Sequence, residues 1–286
     1  MRARRGLALL FGALVGLSLA RPLSAQAFLL SGYPASARDA GLGGAGAALV
    51  GDADALFANP AGIATVRHVA LAGSYEPASG GTAFSSAAVT LRVGRLEWGA
   101  GAQTFGSAGN FTHAELLAAT GLVYRRGLMA FGVAGKYARP AADSTRKGAW
   151  VGDLGLAVAV FDILAFGASV QNLGGVDLLH RRVRAGFTMN YADPEGSYRL
   201  LSTVEGDWVA GASAALHIGV EAGYAVGGIG FVARAGYTNH RPLPGISRFA
   251  FGGGVEFGRR LRLDYAYQEA NGPGAGRSRA GVRWIL

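Results

Sequence analysis

The sequence predicts an all-β fold, a transmembrane antiparallel β-barrel of about fourteen strands, from three observations. Apolar residues recur at every second position through most of the chain from residue 69 onward, the period of a strand with one apolar face. Most alternating segments are about 9 to 12 residues long, which is what a strand tilted near 45° needs to cross a bilayer. The links between them mostly alternate between tight and long, as in outer-membrane barrels, whose ends both lie on the short-turn, periplasmic side. Composition agrees: 47 glycines in 286 residues and only 16% charged residues argue against a helical bundle, an ordinary soluble enzyme and a disordered chain. With no cysteine there is no disulfide scaffold, thiolate metal site or Cys nucleophile.

The predicted strands run in order Val69–Glu76, Phe84–Val93, Leu96–Phe105, Glu115–Arg125, Leu128–Ala138, Trp150–Val160, Asp162–Asn172, Arg181–Tyr191, Tyr198–Trp208, Ser213–Val226, Gly228–Thr238, Arg248–Gly258, Arg260–Glu269 and Arg277–Leu286. Phe249, Phe251, Val255 and Phe257 illustrate the pattern, opposed by Ala250, Gly252, Gly254 and Glu256. Tight links fall at Gly94-Arg95, Arg126-Gly127, Phe161-Asp162, Gly227-Gly228 and Arg259; longer ones at Gly106–Ala114, Pro140–Ala149, Leu173–His180, Asn239–Ser247 and Ala270–Gly276. Two links fit poorly: Ala192–Ser197 is long for a turn and Val209–Ala212 short for a loop, which leaves room for a misplaced strand. A soluble sandwich or lipocalin-like barrel shares the period. The large residues on the apolar faces, and aromatics such as Tyr75, Trp98, Tyr124, Tyr137, Trp150, Tyr191, Trp208, Tyr237 and Trp284 near segment ends, favour lipid. The nearly uncharged run Leu154 to Val176 alternates on both sides of Asp162 and reads as two strands rather than a membrane helix.

Residues 1–27 read as a signal peptide: Arg2, Arg4 and Arg5, then the apolar run Leu7 to Ala20, then Ala25-Gln26-Ala27 before Phe28. Beyond it the chain divides into 28–66, without sustained alternation, and the barrel, 67–286. The net charge of +9 comes partly from the leader, and no basic stripe with interleaved aromatics appears, so nucleic acid is not an expected partner. Arg279-Ala280-Gly281-Val282-Arg283-Trp284-Ile285-Leu286 has spacing that resembles the C-terminal signal read by the barrel-assembly machinery, with Gly281, Trp284 and Leu286 as its carriers.

The segment 28–66 holds Ala37-Arg38-Asp39-Ala40-Gly41-Leu42-Gly43-Gly44-Ala45 and then Asp52-Ala53-Asp54-Ala55-Leu56-Phe57-Ala58-Asn59-Pro60-Ala61-Gly62-Ile63-Ala64. This pair of motifs before a barrel resembles the PorV/PorQ proteins of the FadL-type outer-membrane family. The resemblance implies fourteen strands and an N-terminal segment folded into the lumen as a plug, with Arg38, Asp39, Gly41, Gly43, Gly44, Asp52, Asn59, Pro60, Ala61 and Gly62 as the plug motif. Asn59-Pro60 favours a turn and Gly62 tolerates left-handed backbone. Parity places Arg92, Glu97, Lys136, Asp153, Arg184, Glu205, Glu221, Arg234, Glu256, Arg262, Asp264 and Arg283 on the lumen wall, a mixture of signs that suits a salt-bridged interior rather than an ion-selective pore.

No enzyme site emerges. Gly41, Gly43 and Gly46 match G-x-G-x-x-G without a preceding strand, no G-x-S-x-G occurs, and the carboxylates are too scattered for a metal cluster. His217 and Glu221 share a lumen face and read as wall hydrogen bonds rather than a catalytic pair. No cofactor is expected. By resemblance the expected function is a partner or receptor in type IX secretion-like protein export, with secretion-system subunits or exported cargo proteins as partners; the alternative is a FadL-like transporter of hydrophobic small molecules. Both require outer-membrane lipid and the barrel-assembly machinery, and the short links favour the first.

Overall fold

A computed structural model describes residues 28–66, 68–107, 113–141, 147–160, 163–174, 178–192, 197–239, 246–258, 260–270 and 276–286. The expected signal peptide, 1–27, lies outside them. Fourteen strands form one closed antiparallel barrel in which each pairs with its sequence neighbours: β1 Val69–Pro77, β2 Thr82–Val93, β3 Leu96–Ser107, β4 Glu115–Arg126, β5 Met129–Arg139, β6 Ala149–Val160, β7 Leu164–Leu173, β8 Arg182–Asn190, β9 Tyr198–Val209, β10 Ala215–Val226, β11 Ile229–Thr238, β12 Ile246–Phe257, β13 Leu261–Ala270 and β14 Arg277–Ile285. Closure comes from β1 against β14, with Leu71 opposite Trp284 and the Leu286 N–H donating to the Val69 carbonyl at 2.9 Å. A closed sheet leaves no unpaired strand edge, which is the condition for crossing lipid without orphaned backbone groups.

The two links that fitted poorly need no extra strand. Residues 191–197 join β8 to β9 on the short-turn side and 210–214 join β9 to β10 on the loop side, so the up-and-down order holds. The observed bounds differ most in β7 and β12. In β7 a bulge opposite Gly152 and Leu154 places Asn172 at φ 60, and its N–H donates to Asp153 Oδ1 at 2.9 Å instead of to the ladder. In β12 a second irregularity, between Ile246 and Ala250, carries the strand back to Ile246. The tight turn Gly227-Gly228 has φ of 59° and 81°, where a side chain would be strained.

The outer wall is apolar and bare. Leu122, Phe131, Val133, Leu154, Phe251 and Leu263 are about half exposed, as residues facing acyl chains rather than a protein core would be. Trp98, Tyr124, Tyr198, Tyr224 and Trp284 ring the turn side, and Tyr75, Trp150 and Trp208 the loop side. Inside, the barrel is filled by residues 28–66, which form a one-turn helix α1 (Ala37–Gly41) and 3-10 turns at Leu29–Ser31, Ala53–Phe57 and Pro60–Thr65. Leu30, Leu42, Leu56 and Ile63 are fully buried there, so among the described residues the extensive apolar core is the contact between this segment and the wall.

Candidate functional site

Wall glycines make the lumen narrow enough for backbone to touch backbone. A Cβ on Gly167 would stand 2.0 Å from the Ala47 carbonyl oxygen, one on Gly236 2.1 Å from the Gly43 nitrogen, and one on Gly155 2.2 Å from Asn59 Oδ1. The glycine excess on the inner parity is therefore the imprint of the segment packed against it.

Asn59 is the pivot of this contact. Fully buried, it donates through Nδ2 to the Ala47 carbonyl (2.8 Å) and to the Leu156 carbonyl on β6 (3.0 Å), while Oδ1 accepts from the Ala61 N–H (3.0 Å). Pro60, whose missing N–H is no loss at a first helical position, and Ala61 open the following turn, and Gly62 sits where a Cβ would meet Ala55 and the Leu49 carbonyl. One side chain thus joins two parts of the segment to the wall. Asn59→Ala leaves the Ala47 carbonyl and the Ala61 N–H without partners and cuts the tie to the Leu156 carbonyl, and is expected to lower plug stability by about 2–4 kcal/mol. Asn59→Asp is expected to cost more, because a carboxylate would face those carbonyls. Protease protection of residues 28–66 at fixed denaturant ranks the three proteins.

An ion-pair network occupies the turn-side half. Arg38 forms a bidentate pair with Glu221 of β10, from Nε at 2.9 Å and Nη2 at 3.0 Å, and reaches Asp52 with Nη1 at 2.8 Å. Asp52 also accepts from Arg283 of β14 (2.6 Å) and Arg262 of β13 (3.3 Å). Arg234 joins Glu221 (2.6 Å) to Asp264 (2.7 Å), Arg262 holds Asp264 (2.7 Å), and Arg199 pairs with Glu256. Five arginines thus meet four carboxylates across β9 to β14 and the plug. Burial opposes charge on Arg38, but Glu221 and Asp52 outweigh it and hold the guanidinium well above its ordinary value. Burial likewise opposes charge on Asp52, and Arg283, Arg262 and Arg38 hold it well below the ordinary carboxylate value.

Asp54 behaves in the opposite way: burial first, and the neighbouring Asp52 charge second, push it up to about 6. An acid whose pKa is higher when folded than the roughly 3.9 of the unfolded chain loses stabilisation as pH rises between those values, because the folded state must release a proton it favours. Plug protection is therefore expected to fall between about pH 4 and 6 and to level above, and Asp54→Asn to flatten that fall. Hydrogen exchange of residues 53–57 in the two proteins across that range measures it.

Elsewhere the wall reaches inward with separate pairs. Arg184 binds Glu205 (2.5 Å) and the Gly44 carbonyl (2.7 Å), Glu205 accepts from the Ala47 N–H (2.6 Å), and Lys136 pairs with Asp153. The twelve charges that parity assigns to the lumen are on that wall, though Arg92 approaches Glu97 only to 3.6 Å at the turn-side rim. His217 and Glu221 do not bond each other: His217 Nδ1 contacts the Gly43 carbonyl at 2.7 Å, while Glu221 is taken by arginines. Of the other motif residues, Gly41 lies against Gly252, and Asp39 sits in the first turn of α1, where Ser36 caps the helix by accepting the Asp39 N–H on Oγ at 3.1 Å. Gly281 packs against Ala37 of α1, whereas Trp284 and Leu286 face outward.

Several plug contacts were not anticipated. Gln171 and Ser169 hold the Phe57 and Ala58 carbonyls, Arg279 stacks over Tyr33 and Phe84, and Glu76 accepts from Tyr33 Oη at 2.6 Å. All these wall residues lie on lumen parity, which was the available signal.

Of the cavities along the plug among the described residues, two lie towards opposite mouths of the barrel. One of about 50 Å³, large enough only for water, lies on the loop side between Leu30, Tyr33 and Phe57 of the plug and Gln103, Lys136 and Arg182 of the wall. The other, of about 200 Å³, lies on the turn side between Leu49 and Val50 of the plug and Ala165, Thr188, Leu201 and Arg199 of the wall. Among the described residues no cluster of His, Asp or Glu suited to a metal is found.

No protein-family model matches the chain, and no curated protein sequence does. Solved structures do. The Pseudomonas putida toluene transporter TodX is similar at 12% identity and a TM-score of 0.59, over 88% of this chain and 96% of that one. The Ralstonia pickettii toluene transporter TbuX is similar at 14% identity and 0.57, over 90% and 98%. CymD, a monoaromatic hydrocarbon channel, is similar at 12% identity and 0.56, over 91% and 99%. The likeness is one of fold: this chain has the fourteen-stranded closed barrel of the FadL-type outer-membrane channels.

Proposed function

We propose that this chain is an outer-membrane channel for small hydrophobic molecules, gated by residues 28–66 acting as a plug. The observation that carries the reading is the turn-side cavity of about 200 Å³ between plug and wall. Dry apolar cavities of about 150 Å³ hold a benzene-sized ligand, so this one has room for a single-ring hydrocarbon. Its apolar sides come from Leu49, Val50, Ala165 and Leu201, while Arg38, Arg199, Glu221 and Asn190 line the rest. The plug, held to the wall through Asn59 and through the Ala47 N–H on Glu205, stands between this chamber and the loop side, so passage requires the plug to shift. The fold shared with toluene transporters supports the same reading. Influx of a labelled monoaromatic into proteoliposomes tests it. The intact protein is expected to raise influx over empty vesicles, and Ala165→Phe, which fills the chamber, to remove most of the gain; equal influx in all three would end the proposal.

The reading as a partner in type IX secretion-like export keeps one specific support, the loop-side links, which are no longer than residues 140–148. A pull-down from native membranes separates the two: secretion subunits or sorting-domain cargo favour export, and a co-purified hydrocarbon favours the channel. In either case Gly281, Trp284 and Leu286 are proposed as the assembly signal, with Gly281 also leaving space for α1.

A further inference from the structure

The plug runs through the barrel from one mouth to the other. It leaves at the turn side, where Val66 precedes β1, but its first residues lie at the loop side. Leu29 and Leu30 donate their N–H groups to Oε2 of Glu115, the first residue of β4, at 3.0 and 3.4 Å. The Ser31 carbonyl accepts from Arg182, the first residue of β8, at 2.5 Å. Tyr33 reaches Glu76 near the loop-side end of β1 and lies under Arg277 and Arg279 at the start of β14. Phe28 and Leu30 are buried, whereas Gly32 is exposed. The barrel's own ends are on the turn side, as the link lengths imply, yet the start of the described chain is at the opposite mouth.

Glu115 Oε2 takes the N–H groups of Leu29 and Leu30, so the nitrogen of Phe28 is the next backbone nitrogen along the chain from its two donors. Removal of the leader ahead of Phe28 would turn that nitrogen into an α-ammonium next to a carboxylate that already takes the two following N–H groups. Charge-assisted capture of a chain terminus is stronger and more directional than capture by amides alone. We propose that the mature chain begins at the cell-surface mouth, that Glu115 is the counter-charge of its α-ammonium, and that residues 28–34 form an outer cap which seats only after the leader is cleaved. An attached leader would otherwise have to emerge from the surface side, away from the membrane that holds it. The inference rests on the outer-membrane reading.

The absence of cysteine makes single-Cys labelling clean. A side chain added at Gly32 would meet nothing within 4 Å. In intact cells a membrane-impermeant maleimide is expected to label Gly32→Cys as it labels the loop-side control Lys147→Cys, while the turn-side control Arg126→Cys reacts only after permeabilisation. The buried reporter Leu30→Cys is expected to resist labelling. Inserting Gly-Ser between Ala27 and Phe28, or making Glu115→Gln, should each speed its reaction, and the two changes together should speed it no more than either alone, as for members of one pair. N-terminal sequencing of the mature protein should begin at Phe28. Both controls reacting alike would overturn the membrane orientation itself. With the controls behaving, Gly32→Cys unreactive in intact cells would overturn the surface location. A silent insertion, additive effects, or a mature start other than Phe28 would overturn the ammonium pairing.

Discussion

Asp52→Ala is expected to unseat the plug. Asp52 is the one plug carboxylate on which Arg38, Arg262 and Arg283 converge, at 2.8, 3.3 and 2.6 Å. Its removal leaves the network with five arginines and three carboxylates, in a largely buried space. Breaking a buried pair costs about 3–5 kcal/mol because the remaining charge stays uncompensated, and here three partners are affected. Asp52→Asn keeps an acceptor without the charge and should fall between wild type and alanine. Adding Arg283→Gln to Asp52→Ala removes part of the excess and should recover part of the loss. Protease sensitivity of residues 28–66 in detergent, with the barrel itself followed by its heat-dependent gel shift, separates loss of the plug from loss of the fold. If Asp52→Ala protects as well as wild type, the ion-pair account of plug seating fails. The contrast with Asp54→Asn is sharp: two carboxylates two residues apart should give opposite signs, since one is surrounded by guanidinium groups and the other by burial and its neighbour's charge.

Gly167→Leu is expected to exclude the plug by sterics alone. Even an alanine Cβ there would stand 2.0 Å from the Ala47 carbonyl oxygen and 2.6 Å from its carbon, and main chain held by Asn59 and Glu205 has no free rotamer with which to yield. Overpacking commonly costs about 1–3 kcal/mol when side chains absorb it; here backbone must move, so the effect should reach or exceed that range. Gly135, on the lipid-facing parity of β5, meets nothing within 4 Å, and Gly135→Leu serves as the control. A plug protected equally in both variants would mean that the wall glycines are not there for the plug.

The barrel was legible because period 2 is imposed by lipid on one side and by a filled lumen on the other, and a register slip would reverse both faces at once. The same parity located Glu221, Arg234 and Arg262 on the wall. What it could not supply was the angular position of the plug. That Arg38 meets Glu221 183 residues away, or that Asn59 reaches Leu156, depends on how an irregular segment winds inside the closed sheet, and no local pattern encodes it. Glu76, Gln171 and Arg279 went unremarked for that reason, although each has lumen parity. The bulges also escaped, since one extra residue at Asn172 looks like a strand end when only alternation is followed. The start of the plug at the loop-side mouth was equally hidden, because the rule for barrel ends describes strands and says nothing of a segment threaded back through them.

Residues 28–66 are proposed to close an otherwise open barrel. Conductance in planar bilayers tests it most directly, comparing the intact protein with one lacking Ser36 to Val66. Small or no steady current is expected from the intact protein and large, stable openings from the deletion; equal conductance in the two would mean that this segment does not close the lumen.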